Sequence, residues 1–155
     1  MAVTIAAETP LQDDVRALVA DLNAYMIPLT PREFQFQMTV EEMAESTLTL
    51  FVARDAAGKA VGMGALKEHG EGLGEVKRMY TLPDVRGQRV GSLLLQHVEA
   101  LARDRGLTRI VLETGEAEGF EGAWRVYERG GYIVCGAVLD YPDSGYSRFY
   151  EKKLG

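Results

Sequence analysis

A strand, a turn with proline and glycine, an amphipathic helix and a second strand follow one another between residues 73 and 114, and this unit constrains the fold most. Residues 73–81 form an apolar, β-branched run that Pro83 ends. Four apolar residues then recur at helical spacing and predict a helix that ends near Gly106: Val90, Leu94, Val98 and Leu101. The nearly continuous apolar run at residues 108–114 is typical of a parallel strand covered on both faces. Because such units cross over right-handedly within one sheet, the sequence predicts an α/β (α+β) domain.

The segments on both sides of this unit extend the predicted sheet. Thr9 as a capping residue, Pro10 at the first helical position and Gln12 three residues after the cap predict a helix that ends near Met26. Further strands are predicted at residues 3–6, 48–54, 60–67, 132–139 and 146–154, and further helices at residues 39–43 and 120–129. We therefore expect one domain, residues 1–155, around a single sheet.

The composition excludes several classes of protein. The 155 residues include 17 basic and 23 acidic side chains, with no run of Lys or Arg that would face nucleic-acid phosphates. No stretch approaches the roughly 20 apolar residues that a membrane span needs, and the N-terminus lacks the basic segment of a signal peptide. The only cysteine, Cys135, fits a reducing compartment, so we expect a cytoplasmic protein. The acidic excess favours cationic small partners.

The turn before the long helix has the features of an anion site. A helix N-terminus presents unpaired backbone N–H groups at the positive end of the helix dipole. Gly87 and Gly91 would let a phosphate approach this backbone without a Cβ in the way, and Arg86 and Arg89 would add positive charge. The alternative is that the glycines serve only the turn, since many strand-to-helix turns contain glycine.

The segment Arg86-Gly87-Gln88-Arg89-Val90-Gly91 resembles the GNAT superfamily of N-acyltransferases, which carry (Gln/Arg)-x-x-Gly-x-(Gly/Ala) at the mouth of this helix. The chain departs from that pattern once, because Arg89 stands at the inner glycine. The resemblance covers most of the chain and implies the GNAT-like acyl-CoA N-acyltransferase fold, a mixed sheet of about seven strands with helices on both faces. It also implies that acetyl-CoA (coenzyme A) binds as a co-substrate to these residues: Met79, Tyr80, Thr81, Arg86, Gly87, Gln88, Arg89, Val90, Gly91 and Ser92.

The resemblance further implies that the strand at residues 73–81 splays away from the strand at residues 108–114. The backbone groups of Met79 and Thr81 would then pair with the amides of pantetheine, as an added strand pairs with a sheet edge. Other phosphate motifs fit worse, because the chain has neither the Gly-Lys-Ser/Thr of a P-loop nor a Gly-x-Gly-x-x-Gly after its first strand. A nucleotide triphosphatase is therefore not expected.

Tyr127 is the predicted general acid. It ends the segment Ala123-Trp-Arg-Val-Tyr127, which resembles an Ala-x-x-x-Tyr segment whose tyrosine commonly reaches the coenzyme sulfur in the family. A phenol is protonated near pH 7 and can donate to a departing thiolate. The alternative is a helix aromatic that packs on the sheet, and Tyr132 and Tyr150 are rival tyrosines.

Glu75 is the predicted general base, because it precedes Thr81 by six residues on one strand, a spacing at which some GNAT members place a glutamate. Burial beside the co-substrate would raise the pKa of this carboxyl toward a useful range. The alternative is that Glu75 is a solvated strand carboxylate or pairs with Lys77 or Arg78. Glu113, at the carboxyl end of the next strand, is the rival base, since open sheets place ligands there.

No metal site is predicted. His69 and His97 lack ligand spacing to each other and to Cys135. Cys135 has no histidine or acidic neighbour in the sequence, so we expect a buried apolar role rather than a nucleophile.

The predicted function is transfer of the acetyl group of acetyl-CoA to a primary amine of a small molecule by direct attack. Two alternatives remain, a module that binds acyl-CoA without turnover and an acetyltransferase for peptides or proteins. The acceptor pocket is expected between the first two helices, the loop at residues 27–38 and the turn at residues 140–147, with Tyr25 and Glu113 as candidate substrate contacts. Because family members often pair through their C-terminal strands, we expect a homodimer.

Overall fold

The computed structural model describes residues 3–31, 33, 35 and 38–155, and strands and helices follow the predicted order. The strands are β1 (Thr4–Ala7), β2 (Leu48–Arg54), β3 (Ala60–Gly70), β4 (Leu73–Thr81), β5 (Arg109–Gly115), β6 (Ile133–Cys135) and β7 (Ser147–Lys153). The α-helices are α1 (Asp13–Met26), α2 (Val40–Met43), α3 (Val90–Asp104) and α4 (Glu121–Arg129). In the part of the chain described, no helix has the length and apolar character that a bilayer crossing requires.

One seven-stranded sheet has the order β1-β2-β3-β4-β5-β7-β6. Neighbouring strands are antiparallel except β4 and β5, which the helical crossover through α3 makes parallel. Adjacent residues of β3 point to opposite faces, so that Ala65 packs with the apolar residues of α1 and Leu66 packs with those of α3. The expected mixed sheet of about seven strands with helices on both faces is confirmed.

The first helix begins later than predicted. Its first residue is Asp13, and its N-cap is Gln12 rather than Thr9. The Thr9 hydroxyl accepts a hydrogen bond from the Leu11 N–H at 3.1 Å, and the Gln12 amide donates to the Thr9 carbonyl at 2.8 Å. These bonds close a local turn, which competes with a helix for the same backbone groups and delays the helix by one turn.

Two further predictions concern the ends of elements. The strand predicted at residues 132–139 is shorter, since β6 comprises only Ile133–Cys135. Leu139 has a φ of 52°, in the left-handed region that a strand does not use, so the chain turns before this point. The predicted cap of α2 is confirmed, because Thr39 forms a reciprocal capping box with Glu42.

Strand β4 separates from β5 part-way along its length. Their parallel pairing ends at Glu75, which lies opposite Val111, although β4 continues to Thr81 and β5 continues to Gly115. Each strand keeps its antiparallel partner on the outer side, β3 and β7 respectively. The predicted splay is therefore present, and it leaves one open edge on each strand.

Candidate functional site

A cleft of about 840 Å³ opens where β4 and β5 separate. Every predicted site residue except Gln88 lines this cleft, namely Tyr25, Glu75, Met79, Tyr80, Thr81, Arg86, Gly87, Arg89, Val90, Gly91, Ser92, Glu113 and Tyr127. Gln88 is exposed, and its amide donates to the Asp84 carbonyl at 3.4 Å. In the loop that was expected to border the acceptor, Thr30 and Gln35 line the cleft, and positions 32, 34, 36 and 37 lie outside the described residues.

The cleft begins at the N-terminus of α3. The first helical hydrogen bond runs from the Leu93 N–H to the Arg89 carbonyl at 3.0 Å, so the three preceding N–H groups of the helix have no partner within it. The first turn contains no acidic residue. Gly87 has a φ of 85°, and a Cβ at this position would meet no atom within 4 Å. Free donors, the helix dipole and open space together suit the diphosphate of coenzyme A.

Arg89 makes a backbone turn that glycine makes more easily. As the N-cap of α3 it has a φ of 64°, in the left-handed region. The one departure from the family pattern therefore keeps a glycine-like conformation while it adds a positive charge beside the free N–H groups.

Arg86 is held between two tyrosines. Its guanidinium carbon lies 5.5 Å from the ring centroid of Tyr25 and 5.7 Å from that of Tyr80, and it donates to the Thr81 carbonyl at 3.3 Å. The Tyr25 hydroxyl also donates to the Gly119 carbonyl, which ties α1 to the segment before α4. Tyr25 therefore bridges two walls of the cleft and positions Arg86.

Tyr127 lines the cleft from α4 and is 5 % exposed. Burial, together with the charge of Glu113, raises the pKa of its phenol well above the usual value, so the phenol is protonated at neutral pH. Its ring also packs against Tyr132 and Tyr150, with centroid distances of 6.1 and 5.8 Å. Tyr127 thus packs against other aromatic rings and also lines the cleft, whereas the rival tyrosines, Tyr132 and Tyr150, do not line it.

Glu75 is almost fully buried, at 2 % exposure, and both of its carboxylate oxygens are engaged. One oxygen lies 2.9 Å from His69 Nε2, and the other accepts from the Tyr141 hydroxyl at 2.5 Å and from Lys77 Nζ at 3.3 Å. The ion pair with Lys77 that the sequence left open is therefore present. These contacts take up three of the roughly four lone-pair sites of the carboxylate, so little of it is open to a proton from a substrate.

Glu113 has fewer partners than Glu75. It lines the cleft from β5, and one oxygen accepts from the Ser147 hydroxyl at 2.7 Å. Burial raises the pKa of this carboxyl above its usual value, and the charge of Glu75 adds to that effect. A carboxyl with a raised pKa and a route to the cleft has the properties of a general base.

Arg78 is a site residue that the sequence analysis treated only as a possible partner of Glu75. Arg78 and Met79 lie opposite a single residue of β3, Gly64, so β4 bulges here and Arg78 adopts a φ of 54°. Arg78 lines the cleft and is 8 % exposed, and its guanidinium donates to the Asn23 Oδ1 at 2.5 Å. The sequence does contain a signal for Arg78, namely two adjacent cations, Lys77 and Arg78, in a strand that is otherwise mostly buried. Because adjacent strand residues point to opposite faces of a sheet, both cations cannot point to the same face.

No group of three His, Cys, Asp or Glu side chains in the described part of the chain is placed to hold a metal ion. Cys135 is partly exposed on β6 and packs against the cluster of Val111, Val138 and Phe149, away from the cleft.

Comparisons with known proteins agree with this geometry. A model of the acetyltransferase (GNAT) family matches residues 15–132. A curated relative, the IAA acetyltransferase of Azospirillum brasilense, is 38% identical over 153 residues, which cover 98% of each chain. A solved structure from Klebsiella pneumoniae, described as an acyl-CoA N-acyltransferase, superposes with a TM-score of 0.83 at 35% identity, covering 99% of this chain and 98% of that chain.

A more distant structure shows the same fold. An aminoglycoside 6'-N-acetyltransferase, crystallised in complex with coenzyme A, has a TM-score of 0.73 at 18% identity, with 97% of this chain and 96% of that chain covered. The family match spans most of the chain, and the relatives named above are acyltransferases that align along nearly their whole length. The chain is a member of the GNAT family of acetyltransferases.

Proposed function

We propose that this chain transfers the acetyl group of acetyl-CoA to a primary amine of a small molecule, by direct attack while both substrates are bound. The observation that carries this proposal is the cleft between β4 and β5, which joins the free N–H groups of α3 to Tyr127 and Glu113. Its volume of about 840 Å³ lies within the range of sites for small ligands.

The coenzyme would lie along the open edge of β4. Its diphosphate would accept hydrogen bonds from the N–H groups at the start of α3, with Arg86 and Arg89 supplying positive charge. The backbone of Met79 and Thr81 would pair with the pantetheine amides, because β5 leaves this edge unpaired. The sulfur end would then lie near Tyr127.

The chemistry requires two proton transfers, and the cleft offers one group for each. The amine nitrogen forms a bond to the thioester carbon while the carbon–sulfur bond breaks. Tyr127 gives its phenolic proton to the departing sulfur, and burial ensures that the phenol is protonated at neutral pH. Backbone N–H groups beside the open edge of β4 polarise the carbonyl as charge develops on its oxygen.

Glu113 is the base that we propose for the proton of the amine, with Glu75 as the alternative. Support for Glu113 comes from its raised pKa and from its one hydrogen bond among the described residues, which the Ser147 hydroxyl donates. Glu75, by contrast, already has three partners there, Lys77, His69 and Tyr141. In this proposal Glu75 positions Lys77 and Tyr141.

An acetyl-CoA-dependent screen tests the proposed function. The protein is mixed with acetyl-CoA and a panel of amines, amino acids and short peptides, and thiol release and product mass are measured. We expect thiol release that depends on a small amine and a product heavier by one acetyl group. A module that only binds acyl-CoA would release no thiol above background, and a peptide-specific enzyme would respond only to the peptides.

We also propose that the chain is a cytoplasmic homodimer. The edge strand β6 pairs only with β7 in the described structure, and its Ile133 and Val134 are 65 % and 60 % exposed. An unpaired apolar edge is a surface on which a second copy would add a strand. Light scattering during gel filtration should give twice the chain mass, and Val134→Lys should give the monomer mass.

A further inference from the structure

Arg78 is a buried cation at the wall of the cleft, and no carboxylate of the described residues pairs with it. We propose that the acyl acceptor carries an anionic group, a carboxylate or a phosphonate, in addition to its amine, and that Arg78 binds this group. The inference rests on the proposed acetyl transfer, and it names the chemical class of the acceptor.

The geometry around Arg78 leaves most of its hydrogen-bonding capacity unused. A guanidinium has five N–H donors in a planar fork. Within the described residues its Nε has no partner, and the one side-chain hydrogen bond runs to the amide oxygen of Asn23. Burial lowers the pKa of this group to about 10, and no carboxylate contributes to offset that cost. A bidentate carboxylate or phosphonate would supply both the missing hydrogen bonds and the missing charge.

The other charged groups of the cleft do not compete for this role. Lys77 already contacts Glu75 and the Tyr141 hydroxyl, so its charge is offset. Arg86 and Arg89 lie at the N-terminus of α3, which the diphosphate of the coenzyme would occupy. Arg125 and Arg129 of α4 also line the cleft, but both are exposed to solvent. Arg78 is therefore the buried cation of the described cleft that remains for the acceptor.

The distribution of charge suits a zwitterion. Glu113 and Glu75 line the cleft and would attract the ammonium form of an amine before it loses its proton. Arg78 lines the same cleft from the bulge of β4. In an acceptor with an amine at one end and an anion at the other, the amine would pair with the glutamates and the anion with Arg78. A simple alkylamine would leave Arg78 unpaired.

The competing interpretation is structural: Arg78 ties β4 to α1 through Asn23. The two interpretations differ in one measurable respect. A structural tie is indifferent to the charge of the acceptor, whereas an anion receptor selects for it.

Matched acceptors test the proposal on the wild-type protein. The probes are glycine, β-alanine and γ-aminobutyrate, each paired with its amide, and 2-aminoethylphosphonate as the second anion. We expect the best anionic probe to exceed its amide by about tenfold or more in kcat/KM, the range that a charged hydrogen bond commonly supplies. The chain length of the best probe reports the distance between Arg78 and the reacting carbon, and the phosphonate shows which anion is preferred. Equal rates within every pair would overturn the proposal.

Variants then assign the preference to one side chain. In Arg78→Met the ratio of kcat/KM for each anionic probe to kcat/KM for its amide should fall to about one. Arg78→Lys should keep part of the preference, because the charge remains and the planar fork is lost. Arg16→Met, which removes an exposed arginine of α1 outside the cleft, is the matched control and should behave as wild type.

A binding measurement separates this inference from the proposed function. Calorimetry with β-alanine and the protein saturated with coenzyme A needs no turnover. If no amine releases thiol but β-alanine binds to wild type and not to Arg78→Met, acetyl transfer fails and the anion site stands. If amines are acetylated but β-alanine and its amide bind equally, the anion site fails and acetyl transfer stands.

Discussion

Glu75 is the last residue of β4 that pairs with β5, and its partner is Val111. Beyond this pair the two strands diverge, so the carbonyl and N–H groups on their facing edges are available to a ligand. The same point is where the polar side chains begin, since Glu75 and Lys77 on β4 and Glu113 on β5 line the cleft that follows. The end of backbone pairing and the start of the proposed chemistry thus coincide in the structure.

Replacing Tyr127 by phenylalanine should slow turnover and leave coenzyme binding nearly unchanged. The phenol is protonated at neutral pH and lines the cleft from α4, and its loss removes the proposed donor to sulfur. We expect kcat to fall by on the order of 100-fold or more, the usual contribution of a general acid. Single-turnover rates and calorimetry with coenzyme A measure the two effects separately.

The neighbouring Tyr132→Phe is the control for that variant. Tyr132 is buried at 3 % exposure and packs on Tyr127, but it does not line the cleft. It should keep near wild-type kcat. If Tyr127→Phe also keeps wild-type kcat at saturating substrates, the proton must come from another donor and the assignment of Tyr127 is wrong.

The pH dependence of catalysis should report Glu113. As the proposed base it must be ionised, and burial has raised its pKa, so kcat/KM should rise with pH through a value above that of an ordinary glutamate. Glu113→Gln should lower kcat/KM by about 100-fold and remove this limb of the profile. Glu75→Gln is the comparison variant. A profile that loses the limb in Glu75→Gln and keeps it in Glu113→Gln would exchange the two roles.

The contribution of Glu113 to the stability of the fold should fall as pH rises, whereas its contribution to kcat/KM should increase. Its carboxyl binds a proton more tightly in the folded than in the unfolded protein, so its contribution to stability is complete below the unfolded pKa, near 4.3. That contribution is lost as pH rises through the raised folded pKa. Glu113→Gln should therefore raise Tm at pH 8 relative to wild type and have a smaller effect at pH 4. A Tm increase that is the same at both pH values would contradict this linkage.

Local and non-local features differed in how well the sequence predicted them. The anion site at the N-terminus of α3 depends on Pro83, Gly87 and the start of the helix. These features are adjacent in the chain, and the structure places them as expected. The bulge at Arg78 depends on the register of β4 against β3, where Arg78 and Met79 lie opposite Gly64, and no local pattern in β4 encodes that register.

The partners of Glu75 show the same limit. Tyr141 lies 66 residues away in the chain, and only the folded sheet brings its hydroxyl to the carboxylate. Spacing along one strand identified Glu75 as a polar group and Lys77 as a possible partner, but it could not indicate the contacts with His69 and Tyr141.

Arg89→Gly should separate the backbone requirement at the N-cap of α3 from the charge of the side chain. A non-glycine residue in the left-handed region costs about 1–2 kcal/mol, and the greater freedom of glycine in the unfolded chain offsets part of the gain. With φ at 64° in the native state, we expect the free energy of unfolding to rise by up to about 1 kcal/mol in urea denaturation.

The affinity for coenzyme A should change in the other direction in the same variant. Loss of the cation beside the free N–H groups should raise the dissociation constant about 3- to 10-fold, and its dependence on salt should become weaker. Arg89→Asn tolerates the same φ and also lacks the charge, so its dissociation constant should match that of Arg89→Gly. If both variants bind coenzyme A as wild type does, the charge of Arg89 does not contribute to coenzyme binding at the N-terminus of α3.

Arg78→Met should make the protein more stable. A pKa lowered to about 10 in a side chain that is 8 % exposed corresponds to about 3 kcal/mol of cost for the charged form at neutral pH. The Asn23 hydrogen bond recovers part of that cost, so we expect the free energy of unfolding to rise by about 1–3 kcal/mol in the variant, since an apolar side chain of similar length tolerates burial better. The exposed Arg16→Met should change stability by less than about 0.5 kcal/mol. A charge whose removal stabilises the fold while it abolishes selection among acceptors is retained for binding; a variant less stable than wild type would show that the hydrogen bond to Asn23 outweighs the cost of burying the charge.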